Sequence, residues 1–162
     1  MLFFFRRCGR RGEGEKGGKG EGEKGSYIFH TIVLFKFMKI LYHWQLDVYK
    51  ISVVASMEIF ELSKKFPKEE KFSLTDQIRR SSRSVSGQIA EGWRRRRYEA
   101  AFINKLNEAE AAETQVWIEY AVRCEYILKS NGVALHKKYD DIIGKLVNMQ
   151  NDIDKWVLRG KK

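Results

Sequence analysis

Cysteine is almost absent from this chain. Cys8 and Cys124 are the only two in 162 residues and lie far apart. That argues against a disulfide framework or a four-ligand zinc site and makes a reducing cytoplasm the expected compartment. Proline occurs once, at Pro67; a loop-rich β domain needs more, whereas long helices need none in their interiors. The three histidines, His30, His43 and His136, are scattered. No H-E-x-x-H and no E-x-x-H pair of the di-iron type occurs, and no glycine-rich loop runs into Gly-Lys-Ser/Thr. No catalytic residue, cofactor or metal ligand is therefore expected, and the chain is read as non-enzymatic.

Long apolar runs are lacking as well. Residues 27–42 read YIFHTIVLFKFMKILY, but His30, Lys36 and Lys39 interrupt them, and the longest aliphatic and aromatic run is 32–35. A bilayer span needs about 18–20 apolar residues. Upstream, 12–25 consist only of Gly, Glu and Lys, a composition that cannot bury apolar surface and is expected to be disordered. A secretory signal begins with a basic segment and ends in a small-residue cleavage site; here Gly-rich polar sequence precedes the apolar run and no such site follows it. Residues 1–37 are thus expected to be an extension, either without function or a membrane-surface anchor, and 38–162 a single domain. The abrupt change in composition makes Met38 a candidate for the true start; an intact mass that includes 1–37 would exclude it.

Negative charge is in short supply. Lys and Arg number 31 against 21 Asp and Glu, a net charge of +10. Within 38–162 the excess is +6, and the seven arginines and one glutamate of residues 79–97 account for all of it. The rest of the domain is neutral.

What is plentiful is helical periodicity. Leu135, Tyr139, Ile142, Leu146, Met149, Ile153 and Trp156 alternate in steps of four and three, which predicts a helix over 134–158. Tyr98, Phe102, Leu106, Ala109, Ala112, Val116, Tyr120, Cys124 and Ile127 form a second seam and predict a helix over 97–130, stopped by Asn131-Gly132. On that seam Cys124 is expected to be a small buried hydrophobe. Leu74, Ile78, Ser81, Val85 and Ile89 predict a helix over 73–92 capped by Ser73 or Thr75; its small residues permit close approach of a neighbour. The first core helix, 44–65, carries two apolar stripes, one through Leu46, Tyr49, Val53, Met57 and Phe60 and another through Ile51, Ala55, Ile59 and Leu62. Such a helix wants two burial partners, and a neighbouring subunit is a candidate for the second. Four helices with short connections predict an all-α, antiparallel up-down-up-down four-helix bundle.

Two groups of charged residues carry the functional expectations. Arg94, Arg95, Arg96 and Arg97 form a continuous run at a helix turn, beside Trp93. Guanidinium forks suit phosphate oxygens and an indole offers a stacking surface. The run is therefore a candidate contact for RNA or DNA, with Arg83 in support; the other reading is a solvated charged turn. Arg79 and Arg80 are expected to pair inside the bundle with Glu91, Glu110 and Glu113, giving register rather than chemistry.

The blocks Asp47-Val48-Tyr49-Lys50, Phe66-Pro67-Lys68-Glu69-Glu70, Leu74-Thr75-Asp76-Gln77-Ile78-Arg79-Arg80-Ser81, Ser84-Val85 and Ile89-Ala90-Glu91-Gly92 follow in order. In these the chain resembles the four-helix-bundle family of 23S rRNA-intervening-sequence proteins, also called the S23 family, over about 44–158. Glu113-Thr114, Trp117 and the Cys124-Glu125-Tyr126-Ile127 stretch look like one branch of it. The resemblance implies a bacterial, cytoplasmic homopentamer without established enzymatic activity. It also implies kinship with the accessory variability protein of diversity-generating retroelements, which binds nucleic acid and a reverse transcriptase. Gln88 stands where the family usually has Asn, and Arg95, Arg96 and Arg97 replace a short polar turn with a Ser/Thr cap. The resulting expectation is a nucleic-acid-binding accessory protein acting as a homo-oligomer. A protein-binding scaffold and a selfish-element passenger are the alternatives.

Overall fold

The computed structural model describes residues 40–159, which lie in the unit Ile40–Lys162. The expectations placed on 1–37 and on Met38 lie outside the described residues. Among the described residues the regular structure is entirely helical: α1 (Asp47–Ser63), α2 (Leu74–Arg94), α3 (Glu99–Asn107), α4 (Ala111–Arg123), α5 (Lys129–Asn151) and α6 (Ile153–Trp156), with short 3-10 turns at His43–Gln45 and Lys68–Phe72.

α1 packs on α2, α2 on both α3 and α4, α4 on α5, and α5 returns to α1. The α2 seam is buried as its spacing predicts, at Leu74, Ile78, Ser81, Val85 and Ile89, and continues to Trp93. So is the α5 seam at Leu135, Tyr139, Ile142, Leu146 and Met149, but the helix expected over 134–158 starts at Lys129 and ends at Asn151, and Ile153 and Trp156, partly buried, belong to the separate α6. The α1 face that meets α2 is less apolar than expected. Ser52, Ser56 and Ser63 are buried there beside Ala55 and Ile59. Their hydroxyls donate back to the carbonyls of Tyr49, Val53 and Phe60 at 2.7–3.1 Å. Ser81 and Ser82 do the same on α2. A satisfied serine is compact and carries little desolvation cost, so the two helices approach along small side chains. Val54 and Met57, on the other side of α1, are exposed.

The expected single helix over 97–130 is two helices. Glu108, Ala109 and Glu110 interrupt it, although none is a glycine or proline. The break turns the inward face. Ala111, Thr114, Ile118 and Ala121 are buried, while Val116 and Tyr120 point outward. This face, three of its four residues small, is the one that packs between α2 and α5; tertiary packing, not helix propensity, goes with the break. Cys124 is accordingly exposed at the end of α4 rather than buried on a seam.

The expected stop at Asn131-Gly132 is also displaced. α4 ends at Arg123, and Glu125 adopts the left-handed conformation, φ 60°. Tyr126 N–H donates to Ala121 O at 2.9 Å and Glu125 N–H to Val122 O at 3.0 Å, the paired bonds of a Schellman ending. Gly132 lies inside α5 instead. A Cβ there would sit 2.3 Å from Val122 Cγ2, so this glycine permits close approach of α4 and α5. The cap of α2 differs as well. Ser73 occupies the cap position without capping through its side chain. The Glu70 carboxylate accepts from Leu74 N–H at 3.2 Å and from the Ser73 hydroxyl.

Candidate nucleic-acid interface

Arg94 ends α2, and Arg95, Arg96 and Arg97 form the turn into α3. Tyr98 takes the N-cap position of α3 and offers no side-chain cap bond. The four arginines do different things. Arg96 folds back: its guanidinium carbon lies 3.5 Å from the Trp93 ring centroid. Its Nε donates to Trp93 O at 2.8 Å. Partial burial lowers its pKa from the ordinary value. Its backbone carbonyl accepts from Leu158 N–H at 3.0 Å, which ties the turn to the end of the helical region. Arg94, Arg95 and Arg97 are exposed. Among the described residues, no carboxylate lies within ion-pair distance of these three.

Trp93 is not the stacking surface expected from the sequence. It is 5% exposed. Its indole N–H donates to Leu41 O at 3.1 Å, Arg96 covers its ring, and Trp156 meets it edge-on at 6.0 Å. The indole is a core residue with a satisfied polar handle.

Arg83 does not join the turn. It is exposed on the same stripe of α2 as Arg80, Gly87, Glu91 and Arg94, three helical turns or roughly 16 Å before Arg94. Its guanidinium lies 5.5 Å from the Phe60 ring of α1. Arg79 and Lys64 approach the same ring at 5.0 and 4.7 Å, so one aromatic ring carries three cations.

The expected pairing of Arg79 and Arg80 with acids is corrected by the geometry. Arg79 Nε donates to Ser63 Oγ at 2.7 Å, and Arg80 donates to Gln77 Oε1 at 2.6 Å. Glu91 pairs with Lys105 at 3.2 Å, and Lys105 also reaches Glu108 at 2.5 Å; both carboxylates raise the Lys105 pKa. Glu113 accepts from Trp117 Nε1 at 2.9 Å. Glu110 occupies the N-cap position of α4 without a side-chain cap bond, and its backbone carbonyl accepts from the Thr114 hydroxyl at 2.8 Å. Both α2 arginines are served one turn away or across the α1 seam, while Glu91 is bound across to α3 and Glu113 by Trp117 one turn on. Lys105, which claims Glu91, lies on α3 outside the apolar seam of Tyr98, Phe102 and Leu106.

The fold defines an all-helical bundle protein whose open chemistry is a basic turn. Residues 44–148 match the family described as 23S rRNA-intervening sequence protein, and the chain belongs to that family. A crystal structure of a protein of unknown function, from the S23 ribosomal protein family of Bacteroides thetaiotaomicron, is similar at 33% identity and a TM-score of 0.58. The similarity covers 64% of this chain and 95% of that one. No curated protein matches. Among the described residues, no helix is long and apolar enough to cross a membrane.

Proposed function

We propose that this protein is a non-enzymatic, cytoplasmic accessory protein that binds RNA or DNA as a homo-oligomer. The observation that carries the proposal is the open set Arg94, Arg95 and Arg97: three guanidinium groups at one turn, exposed and without carboxylate partners among the described residues. A guanidinium left free of internal acids is available to phosphate oxygens. The pairwise packing is read as an antiparallel four-helix bundle in which α3 and α4 share the third position. Val54 and Met57 on α1, and Val116 and Tyr120 on α4, are exposed apolar side chains that support contact with further copies. The same side chains favour a second reading, a scaffold that docks another protein such as a reverse transcriptase.

Salt separates the two. Each phosphate contact steepens the dependence of log affinity on log salt by about 0.7–0.9. Replacing Arg94, Arg95 and Arg97 together with Gln is expected to flatten that slope by roughly 2–3 units, read by fluorescence anisotropy on labelled oligonucleotides. An unchanged slope removes the turn from the interface. Salt-insensitive capture of protein alone would favour the scaffold.

A further inference from the structure

The segment entering α1 carries exposed aromatic surface and is bonded to the last turn of α2, from which the arginine turn leads. Tyr42 and Trp44 stack with ring centroids 4.3 Å apart and planes 5° from parallel, yet they are 50% and 53% exposed. His43 meets Trp44 and Tyr49 edge-on at 5.1 and 4.8 Å. The backbone beneath is pinned. Gln45 Oε1 accepts the N–H groups of Leu41 and Tyr42 at 2.8 and 2.9 Å. Trp93 Nε1 holds Leu41 O at 3.1 Å, and the 3-10 turn His43–Gln45 packs on α2. The residue that anchors this segment is therefore the immediate neighbour of Arg94.

We infer that Tyr42 and Trp44 form a stacking platform for an unpaired base, with the adjoining phosphates on Arg94, Arg95 and Arg97, so that the ligand is a single strand. The inference rests on the nucleic-acid reading above and specifies its substrate. A rigid ring pair half open to water loses little conformational freedom when a base covers it. Every base has a face that suits such a ring, but inside a duplex both faces are occupied by neighbouring bases, so only an unpaired base reaches it. Cations beside an aromatic platform are the arrangement that binds single strands with little sequence preference. Trp93, buried at the same end, supplies the anchor, and Trp44 supplies the face.

The test uses the full chain and a labelled twelve-nucleotide RNA, its DNA counterpart, and the duplex of each, at low and physiological salt. The single strands are expected to bind more tightly than the duplexes. Trp44→Ala is expected to weaken single-strand binding about 5- to 100-fold while leaving the salt slope unchanged. Trp44→Phe is expected to restore part of the loss, and Tyr42→Ala to behave like Trp44→Ala. The RNA and DNA arms decide which strand is preferred. If Trp44→Ala and Tyr42→Ala, folded by circular dichroism, bind as wild type does, the platform is refuted while nucleic-acid binding stands. Duplexes bound as tightly as single strands refute it too. If wild type binds none of the four, both readings fall together.

Discussion

The two ends of the helical region are built from the same kinds of side chain and closed in opposite ways. At one end Phe66 and Tyr126 pack at 5.5 Å, and the charged group that ties them down is a carboxylate. Glu70 accepts from Tyr126 OH at 3.1 Å, from the Ser73 hydroxyl and from the first N–H of α2. At the other end Trp93 and Trp156 pack at 6.0 Å, and the charged group that covers them is the guanidinium of Arg96. An acid can serve several donors at once and spends its charge inside the protein. An arginine over an indole spends only one face, and its neighbours Arg94, Arg95 and Arg97 have nothing internal to answer. At the acid end the charge that holds the aromatic pair is answered by internal donors, and at the arginine end three guanidinium groups stand free of carboxylates among the described residues.

The strongest way to break this comparison is Trp93→Ala. It removes the buried indole, its bond to Leu41 and the surface under Arg96, and should cost about 3–5 kcal/mol in chemical denaturation. Next in size is Arg96→Ala, which removes a cation–π contact and a hydrogen bond but leaves the indole. A loss of about 1–2 kcal/mol is expected, constant from neutral pH down to mild acid because the guanidinium does not titrate there. The smallest effect sharpens the contrast. Hydrogen bonds from Ser73, Leu74 and Tyr126 hold Glu70 below its ordinary pKa of 4.5. Its contribution to stability is therefore present above that value and is lost as pH falls through the lower, folded-state value. Thermal unfolding of Glu70→Gln should start lower at neutral pH and lose less on acidification than wild type. Equal acid sensitivity of the two proteins would show that the carboxylate does not close that end.

The regular seams were legible in the sequence because one period governs a whole helix. The α2 and α5 faces follow directly from their spacing. The break at Glu108, Ala109 and Glu110 was not legible, because each residue there is compatible with a helix and only the fit against α2 and α5 selects the turn. Gly132 carried a genuine signal with two meanings, cap or close approach, and only the neighbour at Val122 chooses between them. At the site, the arginine run was legible as charge, but the division of labour among its four members depends on which one finds an indole. Trp44 is far from the arginines in sequence, and only the bond from Trp93 to Leu41 links its segment to the last turn of α2. The Tyr42-His43-Trp44 cluster ahead of α1 is the signal for it in the sequence.

The interruption between α3 and α4 has a consequence for how this chain tolerates change. A continuous helix advances about 100° per residue, so one added residue would rotate everything after it. Here Glu108, Ala109 and Glu110 are not helical, and the period is not carried through them. α4 takes its phase from its own buried face, Ala111, Thr114, Ile118 and Ala121, rather than from α3. Length at this link is thus looser than it would be inside either helix, and a single added residue can be taken up in the turn.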